Sequence, residues 1–266
     1  MAAKRPLRIR NLCGIIRRDT PMNLMLLESA HAQMTLPRDD PRSKHVRDVL
    51  RMSPGKRFDV GALNGPRGKA LIQSDDERGM ILSLEWGAPP RPPLPLTLVV
   101  GLSRPQTMRK IMREASAMGI AGLHIARCTR SEPGYADSSL WTGGEWRDLL
   151  MLGAEQAFTT NVPCVIRHDS LAAALSALQS APNRLALDNY EASQPLARWK
   201  PEPGATDTVL CIGPERGWDG TERDLLRGKG YILAHLGPLV LRTETAMIAG
   251  SALTAAALGG WDDMTG

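Results

Sequence analysis

Two glycine-containing loops near the end of the chain carry the residue types best suited to chemistry. Residues 212–218 read Ile-Gly-Pro-Glu-Arg-Gly-Trp, and residues 236–246 read Leu-Gly-Pro-Leu-Val-Leu-Arg-Thr-Glu-Thr-Ala. Glycine and proline produce sharp turns whose backbone can approach a ligand closely. From residue type alone, these loops predict a site for a small polar ligand.

The elements that must position the two loops alternate between strands and helices. Apolar runs predict strands at 96–101, 122–126, 164–167, 184–188, 208–212 and 232–236; apolar residues at helical spacing predict helices at 146–158, 170–178, 222–227 and 245–258, and an earlier one around Met108 to Met118 that ends at Gly119. This alternation predicts an α/β domain with a mainly parallel sheet. Such sheets bind ligands beyond the carboxyl ends of their strands, where both loops begin. The last helix is so apolar that it must be buried, and a partner subunit is one candidate surface.

The N-terminal third has a different pattern. Short β-like runs at 56–63, 69–73 and 80–86 follow a helical stretch at 43–51, in which Ser43 is available as the N-cap and Val46, Val49 and Leu50 share one face. A small β-barrel with one helix fits this pattern. The proline-rich stretch 88–95 cannot form a regular helix or a central strand, because proline lacks an amide donor. We therefore expect a domain at 1–87, a linker at 88–95 and a second domain at 96–266.

The charge of the chain is unevenly distributed. The net charge is +5, yet residues 1–86 contain sixteen Lys and Arg against ten Asp and Glu, whereas the remainder contains seventeen against eighteen. A basic domain joined to a neutral one suits docking to a polyanion, although a merely solvated basic surface is the alternative. The low aromatic content, 4%, favours Arg and Lys over stacked rings as the binding groups.

Composition also bounds the class of protein. The hydrophobic content of 42% and the charged content of 23% are those of a soluble globular protein. We find no apolar run long enough to span a membrane and no signal peptide, so we expect a cytoplasmic protein. Cys13, Cys128, Cys164 and Cys211 are far apart and lack metal-ligand spacing. We expect four reduced, buried thiols and no metal site.

Taken together, the two loops closely resemble the signature loops of the rRNA uracil-N3 methyltransferases, a family of the SPOUT superfamily. Those loops read Gly-Pro-Glu-Gly-Gly-aromatic and Leu-Gly-Pro-x-x-Leu-Arg-x-Glu-Thr-Ala. Residues 152–157, Leu-Gly-Ala-Glu-Gln-Ala, match the central Glu-Gln helix of the family, and residues 45–52 match its His-Val-x-x-Val-Leu-Arg motif, so both predicted domains are covered. Two features depart from the pattern: Arg216 replaces the second glycine, and residues 128–140 align poorly with a basic Arg-Ser loop.

The resemblance implies an α/β protein in which a SPOUT methyltransferase domain with a trefoil knot follows a small PUA-like β-barrel. Such knots are exceptions among folds. It further implies a homodimer that uses S-adenosylmethionine, releases S-adenosylhomocysteine and needs no metal. The implied reaction is methylation of N3 of a uridine in 16S rRNA, with the free rRNA or the small ribosomal subunit as partner.

The resemblance also implies which residues bind the cofactor. These are Leu187, Ile212, Gly213, Pro214, Glu215, Gly217, Leu236, Gly237, Leu241, Arg242, Thr245 and Ala246.

Transfer of a methyl group to uracil N3 requires alignment of that nitrogen and loss of its proton. Glu215 and Glu244 are the candidate bases, although Glu244 could instead orient Arg242, and Glu215 could instead satisfy the amides of its own turn. Arg242 could bind a phosphate or stabilise charge on the uracil oxygens; a structural salt bridge is its alternative role.

The candidate RNA contacts lie near the N-terminus, and ordinary solvated surface is the competing interpretation. They are Arg8, Lys44, His45, Arg47 and Arg51. Two other functions stay open: another SPOUT activity such as ribose 2′-O-methylation, and a non-catalytic RNA-binding or ribosome-assembly protein, for which Arg216 is the one hint. Titration with the cofactor separates the non-catalytic alternative from the enzymes.

Overall fold

Two β-sheets and their helices make up residues 24–261, the part of the chain that the computed structural model describes. The first sheet contains β1 (Met25–Leu27), β2 (Gln33–Pro37), β3 (Arg57–Ala62), β4 (Arg67–Asp76) and β5 (Gly79–Trp86). The second contains β6 (Leu94–Gly101), β7 (Ile120–Ala126), β8 (Cys164–His168), β9 (Asn183–Leu187), β10 (Gln194–Pro195), β11 (Thr208–Ile212) and β12 (Ile232–His235). The α-helices are α1 (Pro41–Lys44), α2 (Pro105–Ala117), α3 (Ser139–Thr142), α4 (Glu145–Gln156), α5 (Leu171–Ala177), α6 (Gly220–Gly228) and α7 (Thr243–Ala257).

The first sheet is a curled half-barrel with the strand order β1-β3-β4-β5-β2. Its pairs are antiparallel except for β1 and β3, which are parallel. Within residues 24–261 the edge strands β1 and β2 do not pair, so the closed barrel expected from the sequence is not formed there. The concave core is built from alternate residues of the strands, among them Val60, Ile72 and Leu82.

The helical stretch beside this sheet begins earlier than predicted. Pro41 takes the first position of α1, and the Asp40 carboxylate accepts the backbone N–H of Arg42 at 2.8 Å, so Asp40 is the N-cap. The prediction of Ser43 as the cap is wrong: Ser43 is buried, and its hydroxyl donates to the Pro37 carbonyl.

The residues predicted to share one apolar face of that stretch do not all lie on the same side. A π-helical turn, His45–Val49, follows α1, and because a π turn is wider than an α turn, it rotates later residues off the buried face. Val46 is fully buried, but Val49 is 65% exposed.

The second sheet is wholly parallel, with the order β10-β12-β9-β11-β6-β7-β8. This confirms the predicted α/β architecture. β6 begins at Leu94, so residues 94 and 95 belong to the strand and not to the linker. The pairing of β6 with β7 shifts between Leu94 and Thr97, and this irregularity accommodates Pro95, which cannot donate to a neighbouring strand.

Most helices of this half match their predicted positions, with small shifts at the ends. The predicted buried face of α2 is confirmed at Met108, Ile111 and Met112. α6 begins two residues before the predicted 222, because Asp219 caps it.

The thiols do not all match the expectation. Cys128 and Cys211 are buried, but Cys164 is exposed at the start of the edge strand β8, where one side of the strand has no neighbour; Cys13 lies outside the described residues.

The two sheets meet where β1 packs on α4. Leu24, Leu26 and Ala154 form a small apolar cluster there. The backbone amide of Leu26 donates to a side-chain oxygen of Glu155 at 3.0 Å, and burial raises the pKa of this carboxyl group. The Glu-Gln motif at 155–156 therefore contributes to the junction between the sheets. Among the described residues, no helix is both long and apolar enough to cross a membrane.

Candidate functional site

A pocket opens at the carboxyl ends of β9, β11 and β12, where the two glycine-containing loops meet. Neighbouring strands place these ends side by side, because β11 lies next to β9 and β9 next to β12. The lining residues are Leu187, Asp188, Asn189, Tyr190, Ile212, Gly213, Pro214, Glu215, Arg216, Gly217, Trp218, Ala234, Leu236, Gly237, Leu239, Val240, Leu241, Thr243 and Ala246.

The first loop is a tight turn after β11. The Gly217 amide donates to the Pro214 carbonyl at 2.8 Å, and Gly217 adopts a φ of +66°, a conformation that favours glycine. A Cβ on Gly101 would lie 2.5 Å from the Pro214 nitrogen, so only glycine at the end of β6 lets the turn approach so closely. The positive φ falls on Gly217, which explains why Arg216 is tolerated at the preceding position.

The first loop is also tied to the end of β9. Trp218 is buried, and its indole N–H donates to the Leu187 carbonyl at 2.9 Å. The next residue, Asp219, forms a reciprocal capping box with Glu222 and starts α6. Contacts within the protein therefore anchor the turn at its C-terminal end.

The second loop joins β12 to α7 and is strongly apolar at its surface. Gly237 adopts a φ of +116°, which only glycine tolerates readily. Leu239 and Val240 line the pocket while remaining 75% and 79% exposed. An apolar surface of this kind suits contact with the less polar part of a ligand or with another protein chain.

Most of the predicted cofactor residues line this pocket, and two do not. Arg242 and Thr245 are exposed residues outside the lining. The sequence placed the end of the 184–188 strand and the two loops around the cofactor, but it did not name the following lining residues individually as cofactor contacts: Asp188, Asn189, Tyr190, Arg216, Trp218, Ala234, Leu239, Val240 and Thr243. Several of these directly follow a predicted strand or lie inside one of the two loops, so their position in the sequence could have identified them as pocket residues.

The three candidate catalytic residues have different surroundings. Glu215 lines the pocket, and its Oε1 accepts the backbone N–H of Arg104 at 3.0 Å, with the Arg104 guanidinium 3.7 Å away. Glu244 is buried outside the pocket lining, where the Lys110 ammonium lies 2.9 Å from its Oε1 and lowers its pKa. A carboxylate held in this way is a weaker base, so Glu215 is the better placed of the two.

Arg242 occupies the N-cap position of α7. It is exposed, and its side chain makes no hydrogen bond to any residue that the structure describes, whereas its backbone carbonyl accepts the Ala246 amide at 2.8 Å. The salt bridge considered as its alternative role is therefore absent from residues 24–261, although its charge still helps to lower the pKa of Glu244.

The candidate RNA contacts lie apart from the pocket, beside the half-barrel. Lys44 and Arg51 are exposed, and His45 is partly buried. Arg47 forms a two-pronged pair with Asp75, with distances of 2.9 and 3.0 Å, so its charge is largely offset. Arg8 lies outside the described residues. The described chain also contains no cluster of His, Cys, Asp and Glu that could hold a metal ion.

Residues 90–255 match the model of a family described as the RNA methyltransferase domain. The chain is 32% identical over 251 residues to the ribosomal RNA small subunit methyltransferase E of Treponema pallidum, covering 90% of this chain and 93% of that protein. It is 24% identical over 212 residues to the protein of the same name from Bacillus subtilis, covering 76% and 82%.

Solved structures agree on the fold. The crystal structure of a ribosomal RNA small subunit methyltransferase E from Neisseria gonorrhoeae, bound to S-adenosyl methionine, superposes with a TM-score of 0.75 at 22% identity, over 89% of this chain and 98% of that one. A methyltransferase structure from Legionella pneumophila, also with bound cofactor, gives a TM-score of 0.75 at 21% identity, over 90% and 98%. On the family match and the Treponema relative, this chain belongs to the RNA methyltransferase family.

Proposed function

We propose that this protein methylates N3 of a uridine in 16S rRNA and takes the methyl group from S-adenosylmethionine. The observation that carries the proposal is the pocket itself, in which two glycine-containing loops of the expected sequence meet at the carboxyl edge of a parallel sheet. Relatives named ribosomal RNA small subunit methyltransferase E support the class of RNA, and neighbours of the same fold contain the cofactor.

We keep as cofactor contacts those predicted residues that line the pocket. Backbone groups of the 213–217 turn and of the loop after β12 would hold the polar parts of S-adenosylmethionine, while Leu187, Ile212 and Leu241 would contact its less polar surface. Thr245 and Arg242 lie outside this lining and would reach the site only at its rim.

The reaction moves a methyl group from the sulfonium to N3 of uracil, and the sulfur leaves as a neutral thioether. The N3 proton must be lost to a base. Glu215 is our candidate, because it lines the pocket and Arg104 contacts only its Oε1. Arg242 would act on the uracil oxygens or on a phosphate of the RNA, since its guanidinium is exposed beside the pocket.

The proposal includes the finer architecture that the resemblance implies. The half-barrel, with the residues before it, would be a PUA-like RNA-binding domain at 1–87, and residues 96–266 would be a SPOUT domain whose final segment passes through a knot.

A second copy would pack on α7 to form the homodimer. One side of this helix faces the sheet, while Ile248 and Leu253 on it are partly exposed. The partner would be 16S rRNA or the small ribosomal subunit, and the site of action would be the cytoplasm.

Two measurements test the proposed function. Calorimetry with S-adenosylhomocysteine should show binding to the full chain, and small-subunit rRNA incubated with the protein and labelled S-adenosylmethionine should gain one methyl group, located by mass spectrometry on a uracil base. A methyl group on a ribose would favour the 2′-O-methylating alternative. A folded sample that binds no S-adenosylhomocysteine would leave only the non-catalytic role.

A further inference from the structure

The short segment after β9 forms one wall of the pocket, and a single carboxylate fixes its backbone. Oδ1 of Asp188 accepts the backbone N–H groups of Tyr190 and Glu191 at 2.9 and 2.6 Å, and its Oδ2 accepts Nε of Arg223 at 2.8 Å. Burial opposes ionisation, but these hydrogen bonds hold the pKa of Asp188 below its usual value. Because both oxygens are engaged within the protein, Asp188 shapes the wall and is poorly placed to bind a ligand directly.

Arg223 is a buried cation on α6 that does not itself line the pocket. Its side chain is only 7% exposed, and besides Asp188 it reaches the Glu191 carboxylate at 3.5 Å. A buried arginine is costly unless it is paired, and here both of its carboxylate partners belong to the pocket wall. Arg223 thus couples the position of α6 to that wall.

The same guanidinium also holds an aromatic ring. The Arg223 Cζ lies 5.2 Å from the centroid of the Tyr190 ring, within the range of a cation–π contact. Tyr190 is 69% exposed although it lines the pocket, and its Cε2 lies 3.8 Å from where a Cβ on Gly217 would stand. The ring therefore spans from the β9 side of the pocket to the first loop, and a large aromatic surface is left open to solvent.

We infer that Arg223 is a positioning residue for the cofactor pocket, which acts through Asp188 and Tyr190. It holds the wall in place through the carboxylate, and it fixes the Tyr190 ring as part of the surface that contacts the cofactor. The inference rests on the proposed function, in which this pocket binds S-adenosylmethionine.

The test is a double-mutant cycle on the full chain, with S-adenosylhomocysteine affinity measured by calorimetry. Tyr190→Ala should weaken binding about tenfold, the loss expected when an aromatic contact to a planar ligand is removed. Arg223→Lys keeps the charge but loses the planar fork, so it should weaken binding several-fold. The two losses should be clearly less than additive in the double variant, since Arg223 acts in part through the Tyr190 ring.

Two controls separate positioning from general stability. Asp224→Ala alters an exposed residue of α6 that pairs with Arg227 and does not line the pocket, so affinity should stay within twofold. In turnover assays Tyr190→Ala should raise KM for the cofactor and leave kcat and KM for RNA unchanged, the pattern of a lost binding contact.

The outcomes are distinct. If the wild-type chain failed to bind S-adenosylhomocysteine, both the proposed function and this inference would fall. If it bound, but Tyr190→Ala stayed within twofold of it or the two single effects simply added, this inference alone would be overturned.

Should Arg223→Lys fail to fold, Asp188→Asn replaces it in the cycle. Asparagine keeps the Oδ1 acceptor for the two amides and turns a donor toward Arg223, so weaker binding with an unchanged unfolding midpoint supports the inference, and unchanged binding contradicts it.

Discussion

The polar residues around the pocket differ in how firmly the protein holds them. Glu244 is buried and paired with Lys110, Glu215 is bound at one oxygen, and the exposed side chain of Arg242 makes no hydrogen bond inside the described chain. A side chain without internal partners can be replaced at little structural cost, which makes Arg242 the clearest residue to test for a role in the reaction.

Replacement of Arg242 should therefore reduce turnover and spare binding of the cofactor. We expect Arg242→Ala and Arg242→Lys to lose roughly 100- to 1,000-fold in methyl incorporation, because a charge partner of the transition state is lost and lysine lacks the planar fork. S-adenosylhomocysteine affinity should be retained, and so should the homodimer that we propose. The matched control is Arg113→Ala, an exposed arginine of α2 outside the pocket. A folded, dimeric Arg242→Ala variant with near-normal turnover would remove Arg242 from the mechanism.

The pair between Lys110 and Glu244 predicts a pH-dependent contribution to stability. The hydrogen bond from Lys110 lowers the pKa of Glu244 in the folded protein below the usual 4.5. The stabilisation is thus fully present above about pH 4.5 and is lost as the pH falls through the lower, folded-state pKa. Because the lysine is largely exposed, Lys110→Met should reduce the free energy of unfolding by at most about 1 kcal/mol at pH 7. Urea unfolding at pH 7 and at pH 3.5 measures this, and an equal loss at both values would contradict the assignment.

At the scale of single elements, the start of α6 links the first loop to the rest of the domain. Oδ1 of Asp219 accepts the Glu222 amide at 2.7 Å, the Glu222 carboxylate accepts the Asp219 amide, and its other oxygen accepts the Thr129 amide at 2.9 Å. The cap therefore connects α6 with the segment after β7 as well as with the turn that lines the pocket.

Loss of this cap should destabilise the domain measurably. Asp219→Ala leaves the Glu222 amide without its acceptor, and we expect a loss of about 1 kcal/mol, measured by chemical unfolding. Asp219→Asn should recover most of the loss, because its side-chain oxygen can still accept the Glu222 amide. If alanine and asparagine destabilised the chain equally, the carboxylate charge and not the capping hydrogen bond would be responsible.

At the scale of the whole molecule, most of the excess positive charge lies before the half-barrel, in the first 23 residues. Residues 1–23 contain six Lys and Arg and one Asp, whereas residues 24–86 contain ten Lys and Arg and nine Asp and Glu. Within the half-barrel region, Arg47 is already paired with Asp75. Attraction to RNA should therefore depend on Arg8 and its neighbours together with the exposed Lys44 and Arg51.

Neutralising these groups should weaken RNA binding in a salt-dependent way. For Arg8→Gln, Lys44→Gln and Arg51→Gln, we expect the slope of log affinity against log salt to flatten by roughly one unit per lost phosphate contact. Affinity for S-adenosylhomocysteine should not change, since the pocket lies in the other sheet. Arg113→Gln is the control in the catalytic half. An unchanged slope in all three variants would show that Arg8, Lys44 and Arg51 do not provide phosphate contacts.

The sequence by itself determined the order of the strands and helices in the catalytic half, apart from the short α3 and β10, and it identified the two loops that form much of the pocket. These features follow from local properties: apolar periodicity predicts each element, and glycine and proline at 213–217 and 236–238 predict the turns. Loops that follow the carboxyl ends of neighbouring parallel strands lie at the same edge of the sheet. Most of the predicted cofactor residues belong to such loops and therefore meet in one pocket.

Only the tertiary structure decided which charges pair, how far the half-barrel closes and which side chains face the pocket. Lys110 meets Glu244 across 134 positions, and Arg223 meets Asp188 across 35. Both encounters depend on which strands are neighbours, a property that no local pattern encodes. The π-helical turn at 45–49 and the exposed ring of Tyr190 have the same origin. In each case packing between distant segments selects one conformation from several that the local chain allows.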